Sequence, residues 1–200
     1  MQRVSWMLMA ILALMIGACR HETDQTSTTS AQVTDTGSDT AATGSLGTSP
    51  TTAIANVPDA DKSFANDAAQ AGMAEVNAGN MGLQKTSNAD VKAFAQRMVT
   101  DHTKANDELK QLATTKGLTL PADVNDEQKA AAAHLSGLSG AEFDKAYMDH
   151  MVADHEKAVS LFQNESTSGG DADLKSWAGT TLPTLQQHLQ LAKDTKAKLK

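Results

Sequence analysis

Apolar residues recur at spacings of three and four along the chain beyond about residue 60, which is the spacing of one face of an amphipathic α-helix. The pattern predicts four long helices over about residues 61–85, 88–116, 139–165 and 171–200, and a short Ala-rich helix over about 126–136. No segment shows the alternation of apolar and polar residues that half-buried strands have. The sequence therefore predicts an all-α fold.

Residues that favour helix ends lie at the predicted boundaries. Asn88 and Asp171 are predicted N-caps, because their side chains can accept hydrogen bonds from free backbone amides. Gly117 is the expected C-terminal stop of the second long helix. Ser139 and Glu142 have the spacing of a capping box at the start of the third long helix.

Loop lengths indicate how the helices are connected. Short loops join the first long helix to the second and the third to the fourth, so each pair should form an antiparallel hairpin. The predicted fold is a four-helix bundle over residues 57–200, with the short helix in the longer connection between the hairpins. Pro183 lies inside the last helix and predicts a kink there.

Four polar residues interrupt the apolar faces, one near the middle of each long helix: Glu75, His102, His155 and His188. At 1.5 Å per residue, Glu75 and His102 lie roughly 15 and 20 Å from the turn that joins their helices. His155 and His188 lie roughly 15 and 25 Å from their own turn. The four side chains, called the polar layer below, are therefore predicted to lie at one level of the bundle.

The residue types in the polar layer suggest a metal site. One carboxylate and three imidazoles suit a divalent transition metal such as zinc, copper or iron, so we predict that the layer holds one ion. Asp101, Asp154 and Glu156 lie beside the histidines in sequence and are predicted to orient the imidazoles through hydrogen bonds.

Other functions are compatible with the same residues. Four buried polar groups can form a metal-free hydrogen-bond network that fixes the register of the helices, in a protein that docks a partner. A metalloenzyme would need an open coordination position, a pocket and a base, whereas four protein ligands are typical of a closed, structural site. A metal-binding module is the preferred hypothesis, an interaction protein comes second and a metalloenzyme third. The protein partner, the reaction and the substrate stay open.

The N-terminal segment has the features of an export signal. An apolar run from Val4 to Ile16 follows Arg3 and ends at Gly17-Ala18-Cys19. This end resembles a bacterial lipobox, which implies that residues 1–18 are a lipoprotein signal peptide and that Cys19 carries the lipid. An ordinary signal peptide followed by an unmodified cysteine is the alternative.

The sequence after Cys19 predicts where the domain is held. Arg20 at the next position resembles an outer-membrane address, with the domain in the periplasm. Residues 19–56 are rich in Ser and Thr and have little to bury, so we expect a disordered tether between the membrane and the bundle.

Charge and cysteine content exclude several functions. Removal of residues 1–18 takes away one positive charge, that of Arg3, and lowers the number of Lys and Arg from 17 to 16. The remaining chain has 24 Asp and Glu, so its net charge is −8. This balance argues against binding to nucleic acid, which needs a basic surface. Cys19 is the single cysteine, so a disulfide and a thiolate metal site within the chain are excluded.

The same positions carry a family resemblance. The residues that carry it are Phe64, Glu75-Val76, Phe94-Ala95, Met98, Asp101-His102, Phe143-Asp144, Tyr147, Met151-Val152, His155, Leu182-Pro183 and His188. Because these residues occur in this order, the chain resembles domain-of-unknown-function family 4142 over about residues 59–195. The resemblance implies a ferritin-like four-helix fold in an exported bacterial protein, and no settled activity.

A di-iron oxidase is not expected. Ferritin-like di-iron sites use Glu-x-x-His motifs on two helices. Here Val99, Val152 and Leu185 stand three residues before the histidines of the polar layer. The carboxylates for two irons are missing, so a single-metal site is the largest that the sequence predicts.

Overall fold

The computed structural model describes residues 56–199. The predicted signal peptide, Cys19 and all but the last residue of the predicted tether lie outside them. The described residues form five helices: α1 (Asp59–Lys85), α2 (Ala89–Lys116), α3 (Asp126–Ser136), α4 (Gly140–Ser168) and α5 (Ala172–Lys198). None of these helices combines the length and the apolar character needed to cross a membrane.

Three of the predicted helix ends are confirmed by the capping geometry. The Asn88 side chain accepts from two amides of the first turn of α2, and the Asp171 side chain does the same for α5. Gly117 ends α2 in the left-handed conformation, at φ 66°. A glycine suits this position because other residues are strained there.

The predicted capping box at the start of α4 is wrong. Ser139 makes no side-chain hydrogen bond to the helix. The next residue, Gly140, has φ 58°, so the first turn departs from the backbone geometry on which a capping box depends. The helix also continues beyond the predicted end, to Ser168. A capping box is present instead at the start of α3, between Asn125 and Gln128.

The helices pack as a four-helix bundle. α1 packs along α2 and α4 packs along α5, as the two predicted hairpins require. α1 also packs against α4, and α2 against α5, so the order around the bundle is α1, α2, α5, α4. The short helix α3 contacts α1 and α4. The predicted fold class, an all-α four-helix bundle with an extra short helix, is therefore confirmed. The last helix, α5, continues as one helix through Pro183.

Glycines allow α1 to approach its neighbours closely. A Cβ atom on Gly79 would lie 2.8 Å from Val99 Cγ2, and one on Gly82 would lie 2.8 Å from the Ala95 Cβ. Both distances are shorter than van der Waals contact. Small residues on this face of α1 therefore set the spacing between α1 and α2 near Gly79 and Gly82.

Two apolar clusters lie on either side of the polar layer. On α2, His102 lies between Met98 of one cluster and Leu109 of the other. On α4, His155 lies in the same way between Met151 and Phe162, which belong to the same two clusters. α5 repeats the arrangement, with His188 between Leu185 and Ala192. The packing of both clusters fixes the helices at the level where the polar side chains meet.

Candidate metal centre

Three histidines from three different helices converge in the middle of the bundle. His102 of α2, His155 of α4 and His188 of α5 each place one ring nitrogen within 4.8 Å of the other two. The ring centroids are 5.3 to 5.6 Å apart. The rings are buried, with 7%, 1% and 1% of their residues' surface exposed. These three residues are called the histidine cluster below.

The outer nitrogen of His155 is held by its own helix. Its Nδ1 lies 2.9 Å from the Met151 carbonyl oxygen, one turn earlier on α4. A carbonyl can only accept, so Nδ1 carries the hydrogen and donates it. The lone pair of the neutral ring is then on Nε2, which is buried and has no hydrogen-bond partner among residues 56–199.

The outer nitrogen of His188 is held by a carboxylate of α2. Its Nε2 donates to Asp101 Oδ2 at 2.8 Å, and Asp101 also accepts from Arg97 Nε at 3.2 Å. This hydrogen bond puts the lone pair of the neutral ring on Nδ1. Nδ1 is buried and likewise unpartnered within the described part of the chain. Carboxylates that orient a metal-binding imidazole in this way are common at metal sites.

His102 completes the group of buried ring nitrogens without partners. Its Nε2 is also buried, without a hydrogen-bond partner from any residue that the structure describes. Buried polar atoms without partners are costly, and they are rare in folded proteins. A cation shared by the three rings would satisfy all three. Histidine ligands lie about 2.0–2.1 Å from zinc, so binding one ion draws each ring inward by less than about 1 Å.

Burial keeps the three imidazoles in the neutral form that binds metals. It lowers the pKa of His102 well below its usual range, and the neighbouring His155 and His188 lower it further. It lowers the pKa of His155 to about 4, although the hydrogen bond to Met151 acts in the opposite direction. Burial also lowers the pKa of His188, against the attraction of Asp101. At neutral pH the three rings are therefore neutral, and His155 and His188 present lone pairs to the cluster.

Glu75, the fourth member of the predicted polar layer, lies beside the histidine cluster. Its Oε1 is 3.5 Å from His155 Nδ1, the nitrogen that faces away from the cluster lone pairs. Its Oε2 is buried and finds no partner among the described residues. Burial raises the pKa of the Glu75 carboxyl well above its usual range, and the nearby Asp154 raises it further. Three of the four predicted ligands thus form the close group, and Glu75 flanks it.

The three predicted supporting carboxylates have different environments. Asp101 contacts a histidine of the cluster, as described above. Asp154 Oδ2 lies 3.2 Å from His150 Nε2, and none of its ion-pair or hydrogen-bond contacts is with the histidine cluster. Glu156 forms an ion pair with Lys193 at 2.8 Å, and its side chain is 54% exposed. It follows His155 directly, so it points about 100° away around α4, toward the surface.

A cavity of about 550 Å³ reaches the histidine cluster. At its inner end it is lined by Glu75, His102 and His188, and at its outer end by the exposed Glu127 and Lys157. The pattern of the sequence does not predict this cavity. Its outer wall includes residues of α3, and nothing in the helical pattern shows where that short helix packs.

Comparisons with known proteins agree with this fold. The model of the family called domain of unknown function 4142 (DUF4142) matches residues 46–195, which confirms the resemblance found in the sequence. The structure is similar to a DUF305 fragment from Deinococcus radiodurans, with a TM-score of 0.65, 12% identity, and coverage of 72% of this chain and 99% of that chain.

A second solved structure, a conserved hypothetical protein from Mycobacterium tuberculosis, is also similar. Its TM-score is 0.56 and its identity 16%, with coverage of 70% of this chain and 92% of that chain. The sequence has no match among curated proteins. At these identities the two structures support the helical-bundle fold alone.

Acid should weaken the metal-free protein through His155. Its pKa is about 4 in the folded protein against the usual histidine value of 6.5, so between these values the unfolded chain binds the proton more tightly. Stability from a neutral His155 is therefore complete above pH 6.5 and declines as the pH falls. We expect wild type to lose about 2 kcal/mol of stability relative to His155→Gln from pH 7 to pH 5.

Urea unfolding followed by circular dichroism, with a chelator present at each pH, measures this difference. His134→Gln, which alters an exposed histidine of α3, is the matched control. A difference between wild type and His155→Gln that stays constant from pH 7 to pH 5 would contradict the assignment of a neutral, buried His155.

Proposed function

The chain belongs to the DUF4142 family, and we propose that it is a cell-envelope module that binds one divalent transition-metal ion through His102, His155 and His188. One observation carries the proposal. Three buried ring nitrogens lie within 4.8 Å of one another, and no described residue supplies a hydrogen-bond partner to His102 Nε2, His155 Nε2 or His188 Nδ1.

The hydrogen bonds on the outer side of the rings favour a metal over a metal-free polar network. In a network, donors face acceptors. Here His155 donates outward to Met151 and His188 donates outward to Asp101, so both rings direct lone pairs inward. Inward-facing lone pairs cannot bond to one another, whereas one cation accepts all of them. The His102 ring could supply one N–H, which would pair only one of these two lone pairs, so a metal-free network would leave the other unsatisfied.

The ligand set supports one ion of zinc, copper or iron. Imidazole nitrogen suits all three metals. A second ion would need bridging carboxylates, and Val99, Val152 and Leu185 occupy the positions where di-iron proteins place a glutamate. The ion would be held by three neutral rings, and the Asp101 carboxylate would orient one of them. The chemistry that such an ion supplies is Lewis acidity and, for copper or iron, electron transfer.

The cavity favours one second candidate, a metalloenzyme. Metal sites with three protein ligands keep a coordination position for water or substrate, whereas structural sites use four. The cavity extends from exposed residues to His102 and His188, so a small molecule would have a path to the ion. No particular reaction is favoured by the residues that line it.

Cys19 supports the envelope location in this proposal. The Ile16-Gly17-Ala18-Cys19 sequence resembles a lipobox, and the following Ser- and Thr-rich segment would let the domain extend from the membrane into the periplasm. The lipid on Cys19 would be the membrane contact, because the net negative charge of the chain does not favour adhesion to anionic lipid.

The protein should bind about one zinc, copper or iron ion per chain, since one cation fills the group of three lone pairs. Elemental mass spectrometry after gel filtration of a chain without a His-tag measures the stoichiometry. Loss of a hydrogen-bond partner that orients a metal ligand lowers metal affinity by about 10- to 100-fold. His102→Ala removes a ligand itself, so it should lower the affinity by more than about 100-fold. Competition with a coloured chelator measures this affinity.

His134→Ala is the matched control for the metal measurement, because it removes an exposed imidazole from α3 and leaves the cluster intact. It should bind metal like the wild type. A wild type that binds none of the three metals would contradict the proposal, as would a His102→Ala protein with wild-type affinity.

Asp101→Asn tests the hydrogen bond that orients His188. The amide keeps the size of the side chain but removes the charge that holds Nε2–H, so the metal affinity should fall by about 10- to 100-fold. Asp107→Asn is the control, since Asp107 is an exposed residue of the same helix that pairs with Lys110. Equal affinities for the two variants would remove Asp101 from the site.

The lipid anchor has its own test. In a bacterial host that processes lipoproteins, the wild-type chain should incorporate radiolabelled palmitate and sediment with the outer membrane. Cys19→Ser removes the sulfur that accepts the lipid, so it should incorporate no label and shift toward the soluble periplasmic fraction. A wild type that incorporates no label would show that this cysteine is not lipidated.

A further inference from the structure

We propose that the cavity beside the histidine cluster is the route by which the metal ion enters and leaves, so that the ion is an exchangeable cargo and not a permanent part of the fold. This inference rests on the proposed metal centre and names how that centre is loaded. The charge of the cavity wall, the order of its carboxyl groups from surface to interior, and the unpartnered atoms at its inner end support it.

The cavity wall carries an excess of acidic side chains. Five carboxyl groups of the described residues line it, against one lysine and no arginine. The five belong to Asp67, Glu75, Asp101, Glu127 and Asp154. The lysine, Lys157, is paired with Glu127 at 2.9 Å, so it does not offset the others. Apolar side chains such as Leu161 and Leu185 also line the cavity, and walls of low dielectric concentrate the field of the charges between them. The cavity therefore attracts cations.

The carboxyl groups follow one another from solvent to the histidine cluster. Asp67 and Glu127 are exposed, Asp101 and Asp154 are half-buried, and Glu75 is buried. On α1, Asp67 and Glu75 are eight residues apart, so this part of the series extends about 12 Å along the helix axis. A cation that moves inward can thus pass from one carboxyl group to the next as it leaves bulk water.

The inner end of the cavity holds atoms that can receive the ion. Glu75 and His102 line it, are 5% and 7% exposed, and keep Oε2 and Nε2 without hydrogen-bond partners among residues 56–199. His188 also lines the cavity, whereas His155 does not. An arriving ion would therefore meet Glu75 and two of the three rings before it meets His155.

The size of the cavity suits a hydrated ion. Its volume of about 550 Å³ exceeds the roughly 200 Å³ that six waters around an ion would occupy, at about 30 Å³ per water. Structural metal sites differ, because four protein ligands close around the ion. Here the ion would face the cavity on its remaining side, so we expect it to exchange with solvent faster than the bundle unfolds.

The first test measures how fast the metal-free full chain binds Co²⁺, by stopped-flow visible absorption. Glu127→Gln removes a negative charge from the outer end of the cavity and should lower the association rate constant by about two- to tenfold. Lys157→Gln removes the positive charge there and should raise it by a similar factor. Both side chains are largely exposed, so neither change should disturb the fold.

The matched controls are Glu108→Gln and Lys104→Gln. They make the same charge changes in an exposed ion pair of α2 that does not line the cavity. At about 0.1 M salt, charges more than about 10 Å apart are largely screened, so both controls should bind Co²⁺ at nearly the wild-type rate. The wild-type rate constant should fall about tenfold between about 10 mM and about 500 mM salt.

A second test narrows the route. Ala71 lines the cavity between Asp67 and Glu75 on α1, and Ala71→Leu adds bulk there. A narrower route raises the same barrier in both directions, so association and dissociation should slow by one factor, at least about threefold, with an unchanged Kd. Dissociation is measured by dilution into excess chelator. Ala93→Leu, on an exposed position of α2, is the control and should leave both rates unchanged.

The failures of the two proposals are distinguishable. Absence of a Co²⁺ spectrum would contradict the metal centre itself. A spectrum that develops at one rate in wild type, Glu127→Gln and Lys157→Gln would retain the metal and overturn the cavity as its route. Equal effects of Glu108→Gln and Glu127→Gln would also overturn it, because the charge of the whole chain would then attract the ion. If Ala71→Leu does not fold, the exposed variants still decide.

Discussion

The burial of three histidine rings between two apolar clusters is the constraint on which the rest of the structure depends. Helix packing above and below the rings determines where they lie, through contacts such as those of Met98 and Phe162. The rings in turn face one another with buried nitrogens that no described residue satisfies. Such a group of unpaired polar atoms costs stability, and a cation that binds them would recover that cost. This coupling connects the fold to the proposed function.

The hydrogen bonds outside the cluster decide which chemistry the rings can perform. The Met151 carbonyl and the Asp101 carboxylate are acceptors, and each selects the ring tautomer that turns a lone pair inward. Without them the same three histidines would be compatible with a metal-free network. Burial also keeps His102 and His155 neutral, because it lowers the pKa of both rings. The hydrogen bonds and the burial of the rings thus both favour metal binding at this site.

Most of the fold could be predicted from the sequence, because helical periodicity and capping residues such as Asn88 act locally. The level of the polar layer followed from the rise per residue alone. Ser139 was misassigned because the left-handed Gly140 changes the first turn of α4. The cavity depends on where α3 packs, and the position of Glu75 beside His155 depends on rotations of helices about their axes. Tertiary packing sets both, and the spacing of residues does not encode them.

A crystal of the zinc-loaded protein, measured above and below the zinc absorption edge, tests the central claim most directly. The account predicts one anomalous peak per chain, about 2.0–2.1 Å from His102 Nε2, His155 Nε2 and His188 Nδ1. A peak bound through other atoms, or a cluster without a peak in crystals that hold zinc elsewhere, would contradict it.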